Sequence, residues 1–185
     1  MRRHTRICAL RRGLSGAGFV LLAGLSLAAC QQETSEPATA PPVETAQATD
    51  GPAQVVYHAD FADPRRFSAM LTSINNMITT YKNELREYDV RIVFVAHGIR
   101  FLTEAPLKDT PFEEDEALAE RRQNLKGRLA TLRDVHDVKL ELCEITRSEI
   151  GLPMEKVYEG VTRVESGVVR IAELQDKGFA YLKVE

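Results

Sequence analysis

Short apolar runs alternate with long amphipathic stretches from residue 53 onward, and few architectures accept that alternation. Gln54-Val55-Val56-Tyr57-His58-Ala59 reads as one buried strand, and Val90-Arg91-Ile92-Val93-Phe94-Val95-Ala96 as a second. Between them Asp63 can cap a helix and Pro64 can occupy its first turn, where a missing N–H costs nothing. Phe67, Met70, Leu71, Ile74, Met77, Ile78, Tyr81 and Leu85 then recur at three- and four-residue spacing. That stripe predicts a helix of about twenty residues with one face in the core, rather than a cofactor box.

A second helix is expected after Pro111, with Glu113, Glu114, Asp115 and Glu116 in its first turn and Arg121, Arg122, Lys126, Arg128 and Arg133 further along. Acid before base suits the helix dipole, Leu118, Leu125, Leu129 and Leu132 supply the buried face, and the charge runs read as solvated surface. A strand over Val138–Cys143 follows, then a helical turn around Thr146 to Ile150 and a weak strand near Val161 to Val164. A last helix begins after Ser166 and ends at Gly178, and Phe179 to Val184 closes the chain as a strand. Strands alternating with helices imply an α/β domain with a mainly parallel sheet covered on both faces.

The first thirty residues carry a different signal. Arg2, Arg3, Arg6, Arg11 and Arg12 form a basic start without an acid, and an apolar stretch from Gly13 to Ala29 follows, as a secretory signal peptide requires. It ends in Leu27-Ala28-Ala29-Cys30, which resembles a bacterial lipobox, where the chain is cut before a diacylated cysteine. The run is short for a spanning helix. Acylation at Cys30 predicts a lasting membrane anchor, since each buried methylene contributes about 0.8 kcal/mol and several chains add up. Gln31 after the lipidated residue resembles outer-membrane rather than inner-membrane sorting, so the domain is expected on the periplasmic face. Arg11-Arg12 leaves Sec and Tat export both open.

These signals divide the chain into a lipoprotein signal peptide at 1–29, a lipidated Cys30 with a Pro/Thr/Ala-rich tether at 30–52, and one α/β domain at 53–185. The tether holds Pro37, Pro41, Pro42 and Pro52 and almost no large apolar residue, so it cannot bury a core. Loss of the signal removes five of the 24 Lys and Arg and none of the 27 Asp and Glu, leaving 19 against 27 and a net charge of −8. An acidic chain argues against nucleic acid as a partner.

In open parallel sheets ligands gather outside the carboxyl ends of the strands. His58 falls at the end of the first strand, His97 just after the second and Cys143 at the end of the third, so all three should share one sheet edge, with Asp60 and Asp63 nearby. With Cys8 cleaved away and Cys30 acylated, Cys143 is the single free thiol expected. A thiol facing the start of a helical turn meets backbone N–H groups that favour the thiolate, and Arg147 could add to this. An inert, buried cysteine is the alternative. His58 and His97 read equally as capping or packing residues. Their spacing with Cys143 lacks the closely paired ligands of structural zinc. A Cys–His hydrolase would also need an oxyanion hole that the sequence does not place, and no phosphate-binding glycine loop follows either early strand.

Five segments in order carry a resemblance. They are Val55-Val56-Tyr57-His58-Ala59-Asp60 with Asp63-Pro64, Val95-Ala96-His97-Gly98, Leu142-Cys143 leading into Thr146-Arg147 and Gly151, Ser166-Gly167-Val168 to Leu174-Gln175, and Lys177-Gly178-Phe179-Ala180-Tyr181-Leu182-Lys183. Together they resemble the DsrE/DsrF-like proteins over nearly the whole domain. The resemblance implies a single flavodoxin-like or Rossmann-like domain of about five strands that assembles as a homo-oligomer, a trimer or hexamer. Sulfur-relay members accept a sulfur atom on a cysteine as a persulfide and pass it on, which would make Cys143 the acceptor, with His58 and His97 shaping its pocket. With no phosphate-binding glycine loop, no organic cofactor is expected beyond the lipid on Cys30, and the sequence does not identify the donor and acceptor proteins. The chain departs from the pattern in having one glycine in Gly98-Ile99-Arg100-Phe101, and in placing Glu144 beside the thiol, where a carboxylate on the same side would oppose the thiolate. The rival reading is a non-catalytic binding or assembly module with a silent Cys143.

Overall fold

The computed structural model describes residues 51–185; the expected signal peptide, Cys30 and most of the expected tether lie outside them. Five strands, β1 (Ala53–Ala59), β2 (Tyr88–Phe94), β3 (Lys139–Cys143), β4 (Val161–Val164) and β5 (Ala180–Leu182), form one sheet in the order β4-β3-β2-β1-β5. Every pairing is parallel. The helices are α1 (Pro64–Asn83), α2 (Glu116–His136), α3 (Glu144–Glu149) and α4 (Gly167–Asp176), and a 3₁₀ segment spans Ala96–Phe101. No described helix is long and apolar enough to cross a membrane.

Both faces of the sheet are covered, unequally. On one face, Phe67, Met70, Leu71, Ile74 and Ile78 of α1 and the four buried leucines of α2 close over Val55, Tyr57, Ile92, Phe94, Leu140 and Leu142. Phe67 anchors this core, stacked on Phe101 at 4.1 Å and edge-on to Phe94. On the other face α4 alone brings Ile171 and Leu174, with Phe179, against Val56 and Val93. An ion cluster completes that layer: buried Glu141 accepts from Arg91 Nη1 at 2.9 Å and from Arg170 Nε at 2.7 Å. Buried charge is tolerated when each oxygen is matched in this way.

The helix starts follow local chemistry. The Asp63 carboxylate accepts from the Arg65 amide at 2.7 Å and Pro64 opens α1, while Ser166 caps α4 and Gly178, at φ 94°, ends it. Other boundaries shift. Leu85 is not on the α1 stripe; it lies past the helix end at φ 54° and is 94% exposed, in the left-handed turn that satisfies the last carbonyls. Strand β2 starts earlier and stops at Phe94, because Ala96 turns left-handed at φ 47°. Helix α2 begins at Glu116, with Asp115 as its cap accepting from Leu118 at 2.8 Å, so Glu113 and Glu114 belong to the preceding loop. Strand β5 keeps only three residues, with Phe179 turned into the core before it.

Arg122 also departs from the solvated-surface expectation. It is buried, binds Glu114 at 2.7 Å, and donates to the carbonyls of Arg100 and Thr103. The loop after the 3₁₀ segment folds back over α2, and its carbonyls need a donor that charge patterning alone cannot reveal.

Candidate functional site

Cys143 ends β3 and is also the residue that caps α3. Alternation along β3 puts its side chain on the same face as Glu141, the face that α4 covers. Helix α4 starts directly above it: a β-carbon on Gly167 would meet Val95, Cys143 and Val93 side chains together. The backbone at Gly167 is otherwise ordinary, so the glycine is required by this close approach. Cys143 is the free cysteine among the described residues and is 4% exposed.

Burial pushes the Cys143 thiol pKa up. The amides of Gly167 and Thr146, the Thr146 hydroxyl and the Ile145 amide favour the thiolate, and together they outweigh burial, leaving the pKa below its ordinary value of 9.0. The polarising groups are therefore main-chain amides from two helix starts and the Thr146 hydroxyl. Arg147 is not among them, because its guanidinium is held by Glu144 at 2.6 Å and by the carbonyl of Leu152. Pairing with Arg147 likewise holds the Glu144 carboxyl below the usual range, and Arg163 stands 3.7 Å from it.

Ile145, Val168 and Val169 are exposed at the starts of α3 and α4. Next to them Val164, Glu165, Ser166, Val169, Arg170 and Glu173 line an open groove of about 360 Å³.

The two histidines reach the same sheet edge without touching the sulfur. His58 pairs in register with Val93, and Val93 with Glu141, so His58 lies two strands away on the Cys143 face. Its Nδ1 is 3.0 Å from the Tyr181 hydroxyl, and its Nε2 is 3.8 Å from Asp60, which itself binds Lys183 at 2.8 Å. Burial lowers the His58 pKa; Asp60 opposes this, and Lys183 and Arg66 reinforce it. His97 rides on the 3₁₀ segment with its ring edge-on to Phe112 at 5.2 Å. Asp63 is occupied as a helix cap. Among the described residues no three His, Cys, Asp or Glu side chains gather into a metal site.

Thr146 and Gly167 stand in two of the family-like segments, yet the sequence gives neither a part at the site. A glycine immediately after a capping serine, where no turn requires it, is the one signal that could have drawn attention to Gly167.

The model of the DsrE/DsrF-like family matches residues 54–184, the stretch that builds the sheet and carries Cys143. The chain belongs to the DsrE/DsrF-like family. Among solved structures it is similar to a protein of unknown function from Methanobacterium thermoautotrophicum, at 23% identity and a TM-score of 0.54, covering 71% of this chain and 98% of that one. It is also similar to the ychN protein from E. coli, at 18% identity and a TM-score of 0.48, with the same coverage. The first of these likenesses concerns the fold alone. No curated protein matches the chain by sequence. Within the DsrE/DsrF-like domain, Cys143 lies where an open parallel sheet presents its strand ends.

Proposed function

We propose that this protein is a membrane-tethered sulfur carrier of the cell envelope, accepting and passing sulfane sulfur as a persulfide on Cys143. The observation that carries the reading is the place of Cys143, at the end of β3 and the cap of α3 with the start of α4 packed against it, where the nearby amides favour the thiolate despite burial. Membership of a family related to sulfur relay supports it. In the transfer, the Cys143 thiolate attacks the outer sulfur of a donor persulfide, R–S–SH. A Cys143–sulfur bond forms and the donor sulfur–sulfur bond breaks. The donor departs as a thiolate with the electron pair and takes up a proton from solvent. No net oxidation occurs, and attack by an acceptor thiolate on the outer sulfur reverses the step. His58 and His97, at the same sheet edge, shape the approach.

In this reading Cys30 carries the lipid that holds the domain at the periplasmic face, on the outer membrane in preference to the inner, and residues to 52 act as the tether. The domain works as a trimer or hexamer, without an organic cofactor. Its donor and acceptor are proteins of the same compartment.

One observation favours a second reading, a binding or assembly module: Cys143 is 4% exposed. Intact-mass analysis of the native protein and of Cys143→Ser, trapped by alkylation before and after incubation with a persulfide donor, separates the two. The carrier gains one sulfur atom on Cys143 and the variant gains none. A thiol that reacts only after unfolding overturns the carrier.

A further inference from the structure

We propose that the amino end of the sheet is a membrane-docking surface, on which Leu85 and Val135 enter the headgroup layer of an anionic bilayer while the Cys143 end faces away. The proposal rests on the reading of Cys30 as the lipid anchor. Because β1, β2 and β3 run parallel, their first residues share one end of the domain. The chain enters there, with the Ala53 amide bonded to the Glu87 carbonyl at 2.8 Å. Helices α1 and α2 finish at the same end, where Lys82 Nζ donates to His136 Nδ1 at 2.8 Å. Residues 31–50 separate Cys30 from the described chain, at most about 70 Å when fully extended. An anchor on Cys30 is therefore joined to the domain at this end, and Cys143, at the close of β3, lies at the other.

Folding gives Leu85 no reason to be leucine. It is 94% exposed and holds φ 54° in the turn after α1, where glycine would serve without strain. Val135, in the last turn of α2, is bared as well, and the Lys82–His136 bond joins the two helix ends that carry these side chains. Beside Leu85, Tyr81 stacks on Tyr88 with 6.1 Å between ring centres, and the Arg86 guanidinium lies over Tyr81 at 5.3 Å. Apolar side chains ringed by tyrosine and long cations suit the boundary between headgroups and acyl chains. Charge selects the same end. Residues 82–87 set two cations against two acids, and residues 136–139 set Lys139 against Asp137. At the opposite end, residues 102–115, between the 3₁₀ segment and α2, carry five acids and Lys108 as the one base. Ile145, Val168 and Val169 are exposed at that end too, but they share it with those acids, which an anionic surface repels.

The chain has no tryptophan, so a single introduced one reports its own depth. The test places the full-length protein, with its lipid, in vesicles of phosphatidylethanolamine and phosphatidylglycerol doped with acyl-brominated lipid, which quenches indoles that reach the acyl boundary. Leu85→Trp and, separately, Val135→Trp should lose most of their emission, and Ile145→Trp at the opposite end should keep it. Adding Leu85→Glu to Val135→Trp should restore most of what was lost. Equal quenching of all three reporters overturns the proposal, as does quenching of none or of the Ile145 reporter alone. Intact mass, read first, keeps the anchor and the docking apart. Acylated Cys30 with unquenched reporters at residues 85 and 135 overturns the docking and leaves the anchor standing. Cys30 without acyl groups overturns the anchor, and with it the docking that rests on it.

Discussion

A β-carbon on Gly167 would stand 3.1 Å from the Cys143 Cβ and 2.5 Å from Val95 Cγ2, so the start of α4 is pressed onto the thiol. Gly167→Ala should force the helix start outward. Overpacking of this kind costs about 1–3 kcal/mol, and withdrawal of the Gly167 amide should also raise the thiol midpoint. Urea unfolding and a pH titration of the thiolate by its ultraviolet absorbance measure the two effects separately. A variant with lowered stability and an unmoved midpoint would remove Gly167 from the account of the thiolate.

Glu141 joins two elements of the same layer, Arg91 on β2 and Arg170 on α4. Burial pushes its pKa up, but hydrogen bonds from Arg170 and Arg91 outweigh burial and leave it below the ordinary 4.5. The folded value lies under the unfolded one, so this contribution is present above about pH 4.5 and is lost as pH falls through the folded pKa. Glu141→Gln should lose about 3 kcal/mol near neutral pH. Its stability should also change less than that of wild type on acidification below pH 4.5. Urea midpoints at several pH values check both.

His58 titrates in the opposite chemical sense with the same outcome. Burial holds its folded pKa under 6.5, so the neutral ring is favoured in the folded protein and the unfolded chain binds the proton first. Stability from this residue is complete above pH 6.5 and declines as pH falls through the folded value. The groups that face the ring are Tyr181, Asp60, Lys183 and Arg66. His58→Gln should flatten the unfolding midpoint between pH 7 and 5, and a slope equal to that of wild type would show that protonation there is harmless.

Leu85 holds a left-handed conformation after α1, with its amide bonded to Lys82 and the next amide to Tyr81. Such a conformation costs a residue with a side chain about 1 kcal/mol. Leu85→Gly should therefore stabilise by up to about 1 kcal/mol, and Leu85→Val should destabilise, since β-branching suits this region least. Thermal melts of the two variants, moving in opposite directions, are the expected result.

The elements with two agreeing signals were legible in the sequence. Helix α1 had both the Asp63-Pro64 start and the apolar stripe, α4 had Ser166 and Gly178, and β1 and β3 were compact apolar runs. Cys143 could be placed at a strand end before a helical turn for the same reason. Single signals misled. Leu85 fitted the period but lay past the end of α1 in a left-handed turn, and Arg122 sat in a charge run but was taken in by a returning loop. The groups that polarise the thiol were hidden more deeply, because main-chain amides carry no letter in a sequence. Thr146 on α3 is joined through its hydroxyl to the Ala96 amide at the start of the 3₁₀ segment, and Gly167 gains its role from the absence of an atom.

Strand β1 lies between β2, which follows it closely in the chain, and β5, which holds the last strand residues. One flank of the first strand is therefore covered early and the other waits for the final turn of the polypeptide. Closing that loop carries the largest entropic penalty in the sheet. Until it closes, β1 presents an unpaired edge to its surroundings, so the interval between synthesis of β1 and arrival of β5 is when this domain is most exposed to pairing with the wrong neighbour.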